Sequence, residues 1–578
     1  MDKQILDFNG EVSNETDLWC TYAAVRTYSW MGYIHKIEEK NILTNFLLSR
    51  RNADGGYAWS AGMSSDLWAT YYCTQSIKSL NSKSSLPVKY NDCEKWIRTT
   101  QNIDGGFGMM PGQSSDVWAT YYAVRTLVEI CGKYPDLSFK NWLSELQTSD
   151  GGLTWSPEHA KNSCMSDVRA CYYAITAWMV GTNNDKNIPW NKEKLLTWLK
   201  NQQSVNGGFR FQKKDNIDCL WATFRATYAL ALLDDRPKDT KKCIQWIRSQ
   251  IHPNGSFTRW PEYPIQDVWA AFCGIGSLKA LNNDIVDLRD NIALVLENCR
   301  ISNGGFSYRE LLYASDTLST ASKILSKVEN DIDSQNSIKW IEQCVMPNEN
   351  GIMYMPGRGS EVRCSLWGIC AGAFSNFKEI KHNITEWLIE SIRNPDGGFG
   401  YWEGRASDVI STTAAIELIY LTKPEILKNI RKKAEEFFES CRFDEQLFRN
   451  VPGGKPSLRS TLQTYRALNR LGCNINSHLI SNILDQYKVK GGGFANEGNR
   501  FPDLLSTYEA ILTSDTFNID IDYSHLKKFI DSIKLDSHRF SWSPIVKIEG
   551  GKIANCFGKN LDLRCIKVRL SIPPILIS

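Results

Sequence analysis

The chain has no uninterrupted apolar run of about 18 residues, so nothing in it is expected to span a membrane. Its opening, Met1-Asp2-Lys3-Gln4-Ile5, lacks the apolar core of a secretory signal, and a cytoplasmic location is expected. Excess charge is also missing. A net +3 over 578 residues is too small to recruit nucleic acid. The 17 cysteines contain no C-x-x-C pair and no even spacing. Those on predicted helices (Cys20, Cys73, Cys171, Cys273) read as small buried hydrophobes in a reducing compartment. Aromatic residues, in contrast, are abundant: 20 Trp, 23 Tyr and 23 Phe.

What the chain does have is a period. Asp54-Gly55-Gly56-Tyr57 leads to Ser65-Asp66-Leu67-Trp68-Ala69-Thr70-Tyr71-Tyr72. Asp104-Gly105-Gly106-Phe107 leads in the same way to Ser115-Asp116-Val117-Trp118-Ala119-Thr120-Tyr121-Tyr122. The acidic position or its equivalent recurs at Asp17, Asp66, Asp116, Asp167, Cys219 (or Asp218), Asp267, Asp316, Glu361, Asp408, Arg459, Asp503 and, weakly, Asp562. A spacing of roughly 50 residues marks one supersecondary unit used about a dozen times.

Each unit carries two helical patterns. The first ends in a phrase such as Trp96-Ile97, with counterparts at Trp142-Leu143, Trp198-Leu199, Trp246-Ile247, Trp340-Ile341 and Trp387-Leu388. Gly-Gly then stops the helix, because glycine takes positive φ at little cost. After an aromatic loop, Ser-Asp opens a second helix by accepting hydrogen bonds from free backbone N–H groups. That second helix is rich in Ala, Thr, Tyr and Leu and poor in charge, so it is expected to be the more buried one.

Helix pairs in series bury their faces against neighbouring pairs. The apolar second helix favours closed rings with inner and outer layers. Domain size favours two rings of roughly six pairs over one very wide ring. The expected fold is therefore all-α: two tandem α/α-toroids over 1–290 and 291–578, divided in the polar stretch near 282–296. The first unit lacks an outer helix before Asp17, and Ile572-Pro573-Pro574 stops the last inner helix. The N-terminal helix is accordingly expected to complete the second ring.

Gln101-Asn102-Ile103-Asp104-Gly105-Gly106-Phe107 resembles the Q-x3-G-x-aromatic signature of the squalene cyclase and protein prenyltransferase repeat superfamily. Gln147–Leu153 and Gln203–Phe209 repeat it. The resemblance covers nearly the whole chain and implies α/α-toroids. Paired toroids are similar to class II terpene cyclases, which protonate and cyclise a prenyl chain. The D-x-D-D motif of that family has only a partial counterpart, Tyr313-Ala314-Ser315-Asp316-Thr317, where Ser315 replaces the proton-donating Asp. Protein prenyltransferases hold zinc with a D-x-C pair and a distant His. Here Asp218-Cys219 lacks the intervening residue, so no metal ligands are assigned.

Three residue sets are the candidates for chemistry. A carboxylate present in most repeats reads first as a helix cap, and capping is expected to lower its pKa. Asp316 and Glu361, at inner-helix starts of the second ring, are the leading acids. Arg309, Arg358, Arg405, Arg459 and Arg500, with Arg363 just inside a helix, are expected to ring one mouth of the second toroid and bind an anion. The first three full loops (9–16, 54–65, 104–115) carry no Lys or Arg. Tyr308, Tyr354 and Trp402 are candidates for a ligand wall, whereas the helix tryptophans read as core packing.

The leading functional expectation is a class II terpene cyclase-like enzyme (isomerase or lyase) acting on a prenyl diphosphate or another greasy anion. Mg2+ would accompany a diphosphate substrate, and no other cofactor is expected. Peripheral membrane contact stays open. The alternatives are a non-catalytic toroid that binds a prenyl group, a peptide or a partner protein, and a zinc-independent prenyltransferase.

Overall fold

The repeat folds as a locked turn between an outer and an inner helix, and the second copy shows why its residues recur. Asp104 Oδ1 accepts from the Gly106 amide (2.9 Å) and from Ser115 Oγ (2.8 Å), while Asn102 Nδ2 donates to the same hydroxyl (2.9 Å). Thr120 Oγ1 accepts from the Phe107 amide, and the Asp116 amide donates to the Phe107 carbonyl. Gly105 sits at φ +93°, where a Cβ would strike the Ser138 carbonyl. A Cβ on Gly106 would meet Ser115 Cβ and the Trp142 ring at 2.6 Å. The glycine pair and the Trp phrase of the next outer helix are thus two halves of one contact.

Asp116 then caps the inner helix Val117–Glu129 by accepting from the Ala119 amide at 2.7 Å. The first amide of that helix, Val117 N, donates to the Trp155 carbonyl of the next loop. The same stitch runs from Val268 to Tyr308, from Thr317 to Tyr354 and from Val362 to Tyr401. Each unit is hydrogen-bonded to its successor as well as packed on it.

In this computed structural model, the described residues are 10, 16–60, 63–81, 90–162, 165–310, 314–326, 331–498, 501–566 and 573. The chain divides into two compact units. One comprises Ser13–Ala314 with Gly404–Ala406; the other comprises Ser315–Glu403 and Ser407 onward, and counts Gly10 with it. The chain passes from one to the other between Ala314 and Ser315, later than residue 290.

In the first unit the inner helices Leu18–Met31, Leu67–Leu80, Val117–Glu129, Val168–Gly181, Leu220–Leu232 and Val268–Ala280 pack each on the next, and the last returns to the first. The second unit closes in the same way through Thr317–Leu325, Val362–Cys370, Val409–Thr422, Leu458–Arg470, Leu504–Phe517 and Gly551–Ile566. Inner helices are buried almost throughout. Outer helices bury one stripe, as Cys93, Trp96 and Ile97 do in Asn91–Arg98. The only strands among the described residues are the short ribbon Ser541–Ser543 and Val546–Glu549. The described helices include none long and apolar enough to cross a membrane.

Three expectations are corrected here. The N-terminal helix Leu18–Met31 does not complete the second ring. It lies between Leu67–Leu80 and Val268–Ala280, and Tyr28 donates to the Ala293 carbonyl of the outer helix Arg289–Asn298. The Gly304-Gly305 turn serves this helix: Asp17 N donates to the Phe306 carbonyl, and Thr16 packs on Gly305. In the second unit the Ser315 hydroxyl donates to the Gly10 carbonyl (2.9 Å), and Gly10 packs on Ser315 and Trp340. Consecutive pieces of sequence have exchanged partners.

The second correction is that Arg459 is not a cap. Ser457 caps Leu458–Arg470 by accepting from the Ser460 amide, so Arg459 lies two residues into the register, where Trp68 and Trp118 stand in theirs. Third, Asp562 is inside the helix Gly551–Ile566, paired with Lys527 and Lys534, rather than at its start. Cys219 is confirmed as a cap position, its sulfur accepting from the Ala222 amide.

Candidate functional site

The residue two positions after each cap points into the ring. In the first unit these are Trp19, Trp68, Trp118, Arg169, Trp221 and Trp269, all buried. Trp19 lies 6.0 Å from Trp68, 5.7 Å from Trp221 and 4.5 Å from Trp269, ring centre to ring centre. Five positions after the cap stand Tyr22, Tyr71, Tyr121, Tyr172, Phe224 and Phe272. The four tyrosine hydroxyls form a chain of hydrogen bonds at 3.0, 3.3 and 3.2 Å, and Arg125 donates to Tyr71 and Tyr121. Layered rings in mutual contact occupy the middle of this unit.

At the capped end of these layers, the repeated aspartates are not equivalent. Asp167 is gripped by Arg169 through two bonds (2.9 and 2.8 Å) and by Gln212. Asp267 is held by Arg259 in the same forked manner. Asp66 has no arginine on its own helix or loop, and Arg125 on the Asp116 helix turns to Tyr71, Tyr121 and Glu129 instead. Burial pushes the Asp66 carboxyl up to about 7, against the opposing pull of the Ala69 amide and of Arg405. Burial also raises Asp116, whose Oδ2 accepts from the Ala406 amide at 3.3 Å. Capping was expected to lower these pKa values; at these two caps desolvation outweighs it. The Arg405 guanidinium lies 5.5 Å from the Trp68 ring and 6.0 Å from the Trp118 ring. Trp59, half-buried, packs edge-on against Trp68 at 5.0 Å. Two raised carboxyls, one guanidinium and three indoles thus share a single patch.

In the second unit, Asp316 is buried and caps its helix through the Ser319 amide (2.7 Å). Glu361 is fully buried but makes no cap. It turns instead to Arg363 Nε (3.2 Å) and accepts from the Cys364 thiol (3.2 Å), while Arg363 lies 4.2 Å from the Tyr401 ring. Arg358, buried, stacks between Tyr354 (5.4 Å) and Trp402 (5.3 Å).

The arginines do not all belong to the second unit: Tyr308, Arg309 and Arg405 fall in the first, and Arg358, Arg363 and Arg459 in the second. Arg500 lies outside the described residues. Asp66 and Asp116 were read only as caps. The signal that sets them apart was nonetheless present, in the absence of Lys and Arg from loops 54–65 and 104–115.

Mg2+ does not fit this patch. The Arg405 guanidinium already acts as the cation on both carboxyls, and no group of three His, Cys, Asp or Glu that could hold a metal occurs among the described residues.

A family description of the prenyltransferase alpha-alpha toroid domain matches residues 5–66, 59–209, 179–353, 332–471 and 461–576. The chain belongs to that family. No curated protein matches it. Among solved structures it is similar to the ent-copalyl diphosphate synthase from Streptomyces platensis, at 11% identity over 97% of this chain and 96% of that one, with a TM-score of 0.42. It is also similar to the type II terpene cyclase MstE from Scytonema, at 16% identity over 48% of this chain and 90% of that one, with a TM-score of 0.34. A third is Candida albicans protein geranylgeranyltransferase-I complexed with GGPP, at 15% identity over 67% of this chain and 93% of that one, with a TM-score of 0.26.

Proposed function

We propose that the chain protonates and cyclises or rearranges a prenyl substrate, in the manner of a class II terpene cyclase, with Asp66 as the acid in place of Asp316 or Glu361. The observation that carries this reading is the Asp66 carboxyl, buried beside Trp68 and pushed up to about 7. An acid half-protonated near neutral pH is suited to donate. The proton passes from Asp66 to a terminal alkene carbon, whose π electrons form the new C–H bond. The cation left behind is attacked by the next double bond of the chain, and a final proton loss to water ends the sequence. Each facing indole stabilises such a cation by roughly 0.5–2 kcal/mol. Arg405 stabilises the carboxylate that remains.

The capping bond of Asp316 and the ion pair of Glu361 favour a second reading, in which the second unit binds a prenyl group, a peptide or a partner without turnover. Incubation with prenyl diphosphates of increasing length, followed by mass spectrometry for cyclised product, separates the two. Turnover that is lost in D66N and kept in D316N and E361Q supports Asp66. Turnover kept in D66N removes it as the acid, and no product at any chain length favours the binding reading.

A further inference from the structure

Arg225 projects from the inner helix Leu220–Leu232 into the aromatic layers of the first unit and is 4% exposed. Its Nη2 donates to the Tyr173 hydroxyl at 3.0 Å and the Cys273 thiol is a further polar neighbour, but Nε and Nη1 have no oxygen or nitrogen acceptor among the described residues. The rings of Trp221, Tyr172, Tyr173, Phe224 and Trp269 surround the guanidinium at 4.9 to 5.9 Å. Trp221 Nε1 and Trp269 Nε1 are likewise buried donors without an acceptor among the described residues. Comparably buried arginines here are neutralised: Arg169 by Asp167, Arg259 by Asp267 and Arg466 by Glu509. No carboxylate stands among the groups acting most strongly on Arg225.

The remaining neighbours do not supply the missing charge. Burial pushes both the Cys273 thiol and the Tyr173 hydroxyl up to about 12, so each stays neutral at physiological pH. A buried guanidinium stays charged, and leaving it uncompensated is costly. The surplus here is in donors: two guanidinium N–H positions, with the Trp221 and Trp269 indoles, whose N–H groups also lack acceptors among the described residues, in the surrounding rings. Ring centres 4.5 to 6.5 Å apart are in van der Waals contact, which leaves no place for a polyatomic ester.

We propose that the first ring holds a halide-sized monovalent anion, of the chloride class, on Arg225 Nε and Nη1 with Trp221 and Trp269 as further donors. The anion completes the ring core electrostatically and is separate from the protonation chemistry assigned to Asp66. Binding to the folded state alone raises apparent stability by mass action. Replacing sodium gluconate with sodium chloride at constant ionic strength is therefore expected to raise the melting temperature of the full chain by about 2–4 °C. R225M is expected to melt identically in the two salts, whatever its absolute stability. A crystal of the native chain soaked in sodium bromide is expected to show an anomalous peak within hydrogen-bond distance of the Arg225 guanidinium. Equal melting of the native chain in both salts, a salt difference that persists in R225M, or bromide density elsewhere with none at Arg225 overturns the proposal. Should R225M fail to fold, the native bromide crystal decides alone.

Discussion

The two rings are built on one repeat and filled by different chemistry. In the first, the positions two and five residues after each cap carry Trp and Tyr, and their rings meet in layers. In the second, the residues two positions after the cap are Leu318, Arg363, Ile410, Arg459 and Leu505. The interior there is held by charged groups: Arg466 pairs with Glu509, which also accepts from Gln463, and Arg470 pairs with Glu417. The locked turn, the glycine contact and the capping bond are common to both. The frame is therefore insensitive to what occupies the middle, and the inward-facing positions of the inner helices set the character of each ring.

Deleting the large side chains tests this contrast most severely. W118A removes a fully buried indole and is expected to cost about 3–5 kcal/mol in denaturant unfolding, whereas L505A, at the same register in the second ring, costs no more than about 2 kcal/mol. Equal losses would mean that the aromatic layers carry no special share of the stability.

The charged interior of the second ring is next. R466A strands Glu509 and is expected to cost about 3–5 kcal/mol, while R466M/E509L stays within about 1 kcal/mol of the parent. If the double variant is as unstable as the single one, the pair contributes more than mutual neutralisation.

A pH comparison sharpens the difference between the caps. The Asp66 carboxyl is raised from 3.8 to about 7 in the folded chain, so the folded state binds its proton more tightly than the unfolded state does. Stability from this group is full below 3.8 and is lost as pH rises toward 7. D66N is expected to remove that decline, seen as the difference between variant and parent unfolding free energies across the range. Parallel curves would show that Asp66 is not raised. The smallest effect is expected from Y122F, which removes one hydroxyl bond to Tyr72 (3.1 Å) and costs about 0.5–1.5 kcal/mol by the same unfolding measurement.

Much of the architecture was legible because it is local. A glycine that must approach Trp142, an aspartate that must cap and a threonine that must accept from Phe107 leave fixed letters at fixed spacing. The misreading of Arg459 shows the limit of counting letters. Ser457 was the residue with capping chemistry, and Ser457-Leu458-Arg459-Ser460 already placed a short polar oxygen three residues before the amide it serves. The closure of the rings was less accessible. Gly304-Gly305 precedes Ser315 by the usual interval, yet it locks onto Thr16, at the far end of the same ring. No local signal separates those partners, since both present the same surface to a glycine turn.

The candidate site was legible only in outline. Ser65-Asp66-Leu67-Trp68 and Ser115-Asp116-Val117-Trp118 are written like their neighbours, and capping explained them. What distinguishes them is the cation each does or does not meet, and Arg405 is remote in sequence.

By itself the sequence determined the helix pair, its period, its turn and the closure of such pairs into rings, because each depends on contacts within one repeat or between neighbours. Only the tertiary structure decided which turn closes which ring, which aspartates are desolvated strongly enough to hold a proton, and which arginine is left among aromatic rings without a carboxylate. Those outcomes depend on burial and on charges brought together from distant segments, and neither is a property of any single repeat.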